Sequence, residues 1–239
     1  MEKHTVSKAK IILFIFAFCF LLFTLCPESQ AQASLETVKP VEAKFSYKFE
    51  NQRFYIPLIE IDFDARGEGE LRFKRGESDE IIDLKLKLLP ETVARIRELY
   101  DKAGFLQSEE NYQDKRDHSN LGWVTLTLKA GERERSAKFN YTPNLDIKQV
   151  ADIFRALANQ QTDLFDIETA LQYQPLDVPG KIEVLESDLK LERIAEPQQV
   201  VATLQEIAKN DTAPLIARNH AKRIIEAIEK GKYKSPVKK

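Results

Sequence analysis

Apolar and polar residues alternate strictly between Gly122 and Lys129, with Val124, Leu126 and Leu128 on one face and Trp123, Thr125, Thr127 and Lys129 on the other. A period of two is the mark of a half-buried strand. After Ala130-Gly131-Glu132 the alternation resumes from Arg133 to Tyr141, where Ala137, Phe139 and Tyr141 oppose Ser136, Lys138 and Asn140, so the pair reads as a hairpin. The same period marks a strand at Phe45, Tyr47 and Phe49. A further hairpin runs from Phe54 to Lys74 through Gly67-Glu68-Gly69, and a fourth strand, suited to a sheet edge by its lysines, lies within Asp79 to Leu88.

Helical spacing takes over at Pro90, whose missing N–H is not needed in a first turn, and Val93, Ile96, Tyr100 and Ala103 continue it to Gly104. The polar segment Phe105 to Asn120 reads as the longest loop of the sheet region. Beyond Thr142-Pro143-Asn144, the residues Ile147, Val150, Phe154, Leu157, Phe165 and Leu171 fall on one stripe, which one long helix or two collinear ones would satisfy. Gln174-Pro175 and Val178-Pro179-Gly180 mark a break, and everything beyond Gly180 is helical in pattern: Lys181 to Leu191, Pro197 to Lys209 and Thr212 to Lys230. The expectation is an α+β fold. An antiparallel sheet of two hairpins with flanking strands is covered by two helices over 44–173, and a small all-helical unit follows over 174–230, ending in a disordered basic tail, 231–239.

The N-terminus changes the picture of where the chain works. Lys3, Lys8 and Lys10 precede an apolar run of 15 residues from Ile11 to Leu25, and Ala31-Gln32-Ala33 offers a small-x-small cleavage site. This reads as a cleaved secretory signal peptide, 1–33, since a membrane-spanning helix needs about 20 apolar residues. A polar linker, 34–43, follows. Cleavage after Ala33 leaves 206 of the 239 residues, takes away Cys19 and Cys26, and leaves 33 basic against 36 acidic residues, a net charge of −3. A secreted or periplasmic chain without thiols cannot use a disulfide framework, a cysteine nucleophile or a thiolate metal site. Its charge gives no bulk attraction to nucleic acid, and no stable membrane anchor remains after cleavage.

Candidate chemistry is sparse. Asp62-Phe63-Asp64-Ala65-Arg66-Gly67 begins like a calcium loop, but Arg66 stands at the fifth position and Phe73 at the twelfth, so no metal site is expected. No motif for a zinc-binding helix, a nucleophile elbow or a phosphate-cradling loop occurs, and no cofactor is expected. Asp114, Asp117 and His118 share the charged loop, where a carboxylate-oriented histidine is conceivable. Trp123, with Tyr141, is a candidate aromatic surface for a carbohydrate or peptide, unless a second helical layer covers its face. Asp114, Asp117, His118 and Trp123 are therefore the candidate binding residues. Two functions remain open. One is a non-catalytic module that binds a protein partner. The other is an extracytoplasmic hydrolase whose carboxylates, such as Asp114, Asp117 or Glu68 beside His118, converge in the fold.

Three resemblances add to this reading. The run Asp211-Thr-Ala-Pro214-Leu-Ile-Ala217-Arg218, continued by Ala221, Ile224, Ile225 and Ile228, resembles the second helix of a HEAT repeat; one such helix pair, from about Pro197 to Ile228, has to bury its face on a neighbour. The order hairpin, helix, hairpin, helix across Ile59 to Gln160, with Leu89-Pro90-Glu91 as a landmark, resembles the emfourin group of secreted inhibitors of thermolysin-type proteases, which implies protease inhibition. Phe139-Asn140-Tyr141-Thr142, Gln172-Tyr173-Gln174-Pro175-Leu176 and Ile216-Ala217-Arg218-Asn219-His220 resemble an uncharacterised family of secreted bacterial proteins, a likeness that brings no activity with it.

Overall fold

The computed structural model describes residues 43–238 apart from residue 77. The expected signal peptide and the linker as far as residue 42 lie outside the described residues. Six strands form one antiparallel sheet in the order β4-β3-β2-β1-β5-β6: β1 (Ala43–Glu50), β2 (Leu58–Asp64), β3 (Glu68–Lys74), β4 (Ile82–Lys87), β5 (Trp123–Ala130) and β6 (Arg133–Phe139). The alternation sets the faces. Phe45, Tyr47, Ile61, Phe63, Leu71, Phe73, Leu126 and Phe139 are buried on the inner one. Two helices cover that face, α1 (Pro90–Lys102) and α2 (Leu145–Tyr173), and three more follow: α3 (Val178–Lys190), α4 (Val201–Lys209) and α5 (Leu215–Glu229). The fold is α+β with a helical C-terminal part, and among the described residues no helix is long and apolar enough to cross a membrane.

Among the described residues no second helical layer lies on the Trp123 face. Polar ladders occupy it instead: Ser46 donates to Asp62, Arg72 pairs with Asp62 at 3.2 Å, Lys48 with Glu60 at 3.7 Å, and Thr127 with Ser136 at 2.6 Å. Such cross-strand pairs let one face of an antiparallel sheet stay wet.

The long stripe is one unbroken helix of 29 residues, started by Asn144, whose side chain accepts from the Ile147 N–H at 3.1 Å. Its first half belongs to the sheet core. Phe154 is fully buried, stacked on Tyr47 with centroids 5.2 Å apart and tilted on Phe63 at 5.7 Å. Its second half carries another core, in which Ile167, Ala170 and Leu171 meet Val178, Ile182, Leu204, Ile207 and Ala217. The described residues fall in a single compact unit, and α2 is the element that both cores share.

Polar contacts lock this arrangement. Arg75, at the end of β3, lies over Phe73 and Phe165 and is ion-paired with Asp166 of α2, whose other oxygen takes Lys181 of α3 at 3.1 Å. Glu196, buried between α3 and α4, accepts from the Leu89 N–H at the start of α1 at 2.8 Å, while its own N–H donates to Gln160 of α2 at 2.7 Å. Burial pushes the Glu196 carboxyl above its usual range.

Several boundaries differ from the sequence reading. Phe54 to Pro57 belong to a turn, not to β2: the Asn51 side chain accepts from Arg53 N–H, and Pro57 offers no ladder donor. Helix α3 begins at Val178, because Pro179 sits in the first turn, where no N–H is missed. Residues 197–200 are a turn ahead of α4 rather than its first turn. The tail expected to be disordered is packed over its described part. Ser235 donates to Ala195 O, and Val237 is buried in the sheet core.

One half-buried carboxyl at the α2–α3 seam predicts a pH dependence. Burial first, and then the neighbouring Asp188 and Asp166, push Asp163 up to about 7, against the pull of Lys181. Its Oδ2 has no hydrogen-bond partner among the described residues. Folding raises this pKa from 3.8, so ionised Asp163 costs stability: the cost grows as pH rises from 3.8 to about 7 and is constant above. Asp163→Asn is therefore expected to raise stability above that range, by on the order of 2 kcal/mol, and to change little in strong acid. Thermal melts of both proteins across this range check it; parallel curves would remove Asp163 from the account.

Candidate binding surface

The charged loop after α1 does not stand free. It runs along the outer edge of β6 and is strapped to it at both ends. Near its start the Arg135 guanidinium lies 4.9 Å from the ring centres of Phe105 and Tyr112 and donates to Phe105 O and to Glu110 O, the latter at 2.7 Å. Farther along, Asp114 N–H donates to Tyr141 O at 2.9 Å. Gln113 and Asn140 bond each other twice, with Gln113 Nε2 donating to Asn140 Oδ1 at 2.7 Å and Asn140 N–H to Gln113 Oε1 at 2.8 Å. An edge strand with unpaired N–H and C=O groups invites another chain; this loop and the inward-facing Arg135 blunt β6.

The structure brings Asp114, Asp117 and His118 together, and it gives the two carboxylates turn-making work. Asp114 Oδ1 accepts from the Arg116 N–H at 2.8 Å, and Asp117 Oδ1 accepts from the Ser119 N–H at 2.9 Å and from Asn140 Nδ2 at 2.8 Å. His118 packs against Tyr141, ring centres 4.9 Å apart, with its Nε2 3.8 Å from Asp114 Oδ1. Trp123 stands apart on the open sheet face, where Lys138 Nζ lies 5.5 Å from its ring centre and so occupies one side of the ring. Tyr141, expected to continue the inner face of β6, lies beyond the strand's last residue and is exposed. Glu68 is not with this group. It opens β3 at the opposite end of the sheet, where Lys87 Nζ lies 2.7 Å away and holds its carboxyl below the usual range.

Because Asn140 ties the strap to the sheet, Asn140→Ala is expected to cost about 1–3 kcal/mol, the range for leaving buried polar partners unmatched. Urea denaturation measures the loss, and proteolysis within 113–118 should accelerate with it. A variant of unchanged stability would mean that the loop is held some other way.

Two concavities stand out. A groove of about 700 Å3 runs along the first half of α2, lined among others by Lys148, Asp152, Arg155 and Arg193, and a pocket of about 250 Å3 lies between Pro197-Gln198 and Tyr233 to Ser235. Neither is lined by Asp114, Asp117, His118, Trp123 or Glu68. Among the described residues no group of three or more His, Cys, Asp or Glu side chains is placed to hold a metal ion.

What does gather is apolar. The register sets Glu50 beside Leu58 and Trp123, Leu58 beside Lys74, Phe73 beside Ile82 and Val124 beside Phe139, so the segments 51–57, 75–81, 118–122 and 140–144 all emerge at one end of the sheet. Contacts join them: Asn51 Nδ2 donates to Asn120 O at 3.2 Å, and Gly76 N–H to Tyr55 O at 2.7 Å. Gly122 fits there only because it lacks a Cβ, which would stand 2.6 Å from the Phe49 ring, and its φ is +86°. These segments and the adjoining start of α2 expose Phe54, Tyr55, Ile81, Leu121, Tyr141 and Leu145, with Tyr55 at 71% and Leu145 at 79% of full exposure. That is half of the twelve large apolar side chains exposed among the described residues, at one end of one sheet. Isolated exposed apolar residues are ordinary, whereas a gathered set marks an interaction site. The sequence signal for it was the pair Phe54-Tyr55 between Asn51 and Pro57, which as part of a strand would have had no reason to be exposed. No protein-family model matches the chain, and no curated protein matches it significantly.

Proposed function

We propose that this protein is a non-catalytic, secreted or periplasmic module that binds a protein partner through the apolar rim at the end of its sheet. The observation that carries this reading is the convergence of Phe54, Tyr55, Ile81, Leu121, Tyr141 and Leu145 on connections held by a rigid sheet. Loops on a fixed scaffold are where recognition is commonly placed, and buried aromatic anchors carry most of the energy of protein interfaces. The hydrolase reading has less support: Asp114 and Asp117 serve as turn acceptors, and Glu68 stands at the other end of the sheet. The sharpest version of the proposal is an inhibitor of an extracellular protease, with the Phe54-Tyr55 turn as the inserted element. Incubation with a thermolysin-type protease tests that version. Inhibition that Tyr55→Ser abolishes supports it, and unaltered proteolysis at micromolar excess of the protein removes it.

A further inference from the structure

We infer that the partner presents acidic residues beside apolar anchors, because the rim is cationic on the side where its aromatic residues stand. This deepens the binding reading above and rests on it. Arg53 precedes Phe54 in the β1–β2 turn, and Lys115 and Arg116 form the tip of the strap between the Asp114 bond to Tyr141 and the His118 ring that packs on Tyr141. All three are exposed, and among the described residues none of the three is in an ion pair. The nearby carboxylates are differently placed. Asp114 and Asp117 are turned toward backbone N–H groups, and Glu50 is matched by Lys48 at 3.0 Å and Lys138 at 3.9 Å. Asp117 is itself exposed, so around Phe54, Tyr55, Leu121 and Tyr141 the three cations Arg53, Lys115 and Arg116 outnumber the two strap carboxylates by one, a local positive excess on a chain whose net charge is −2.

The polarity reverses across the rim. Asp79 and Glu80 precede Ile81 in the β3–β4 turn; Lys74 lies 3.4 Å from Asp79, while Glu80 is exposed and in no ion pair among the described residues, so acid on the partner is favoured on one side and disfavoured beside Glu80. Such an arrangement orients a docking segment as well as attracting it, and arginine and tyrosine are the residue types enriched where interface energy concentrates. An anionic lipid surface would meet the same three cations, but it would also meet Asp79, Glu80 and the polar Asn51, Gln52 and Asn120, which have no place at an apolar membrane boundary. A protein segment fits the mixed rim better.

The test is selection of binders to the full chain from a displayed random peptide library, with affinities read by interferometry for the wild type, Tyr55→Ser/Leu121→Ser and Arg53→Glu/Lys115→Glu/Arg116→Glu. All five positions are exposed, and melting curves confirm that each variant folds. The expected result is enrichment of peptides with Asp or Glu next to aromatic or aliphatic residues. Their binding should fall about tenfold or more in both variants and weaken with added salt. Rim-dependent peptides without acidic enrichment, unaffected by the charge reversal, would overturn this inference and leave the binding reading standing. Peptides indifferent to Tyr55→Ser/Leu121→Ser would overturn both. Displacement of the bound peptides by phosphatidylserine vesicles, but not by phosphatidylcholine vesicles, would make the rim a membrane site and overturn the acidic-protein assignment.

Discussion

Phe154→Ala is expected to destabilise the protein by about 3–5 kcal/mol, the range for removing a fully buried aromatic ring from a core that cannot collapse into the space. The ring is unexposed and touches both Tyr47 of β1 and Phe63 of β2, so its loss opens a void under the two central strands. Strands cannot close that void without leaving register with their neighbours, which pair along their whole length. The comparison is Tyr173→Ala on the same helix, 71% exposed, which should stay within about 0.5 kcal/mol. Urea denaturation of the three proteins measures both. A loss below about 1 kcal/mol for Phe154→Ala would show that α2 does not pack on the sheet as described.

The second large effect is expected at Gln161, on the stretch of α2 between its two cores. Proline there removes the N–H that bonds Leu157 O and clashes with that carbonyl, at a cost of about 3 kcal/mol or more. The side chain is only half-buried, so Gln161→Ala should be near neutral and isolates the backbone effect. Beyond the cost itself, the kink would misalign Phe165 and Asp166 with Phe73 and Arg75, the contacts that bring the second half of the helix against β3. Broadening or splitting of the unfolding transition should accompany the loss. Gln161→Pro with wild-type stability would mean that α2 is already interrupted in solution.

The parts of this fold that were legible in the sequence are those set by local periodicity. Val124, Leu126 and Leu128 announced β5 because every second residue of a half-buried strand must be apolar, and Pro90 announced α1 because its ring suits a first turn. The same reasoning, applied to Pro179 as a break, misplaced the start of α3: a proline looks the same whether it ends one element or begins the next. What local patterns could not carry were the long-range polar contacts. Nothing near Ser235 indicates that Ala195 O awaits its hydroxyl, so the tail read as looser than it is, and nothing near Glu196 indicates its bond with Leu89 N–H.

The candidate site was half legible for the same reason. Asp114, Asp117 and His118 were found because charged residues in a long loop are conspicuous, yet their partners are backbone N–H groups and Asn140, more than twenty residues away. The rim was missed because exposure there follows from sheet register: Phe54, Leu121 and Tyr141 are distant in sequence and meet only when β1, β5 and β6 align.

That α2 joins both cores into one cooperative fold is the claim on which the rest stands. Trp123, the only tryptophan, lies in the sheet, whereas four of the five helices among the described residues, α2 to α5, carry the second core. Equilibrium urea unfolding followed at once by Trp123 fluorescence and by far-ultraviolet circular dichroism therefore watches the sheet and the helical part separately. Coincident transitions with one midpoint are the predicted result. A helical signal that persists after the Trp123 transition is complete would contradict the shared-helix account.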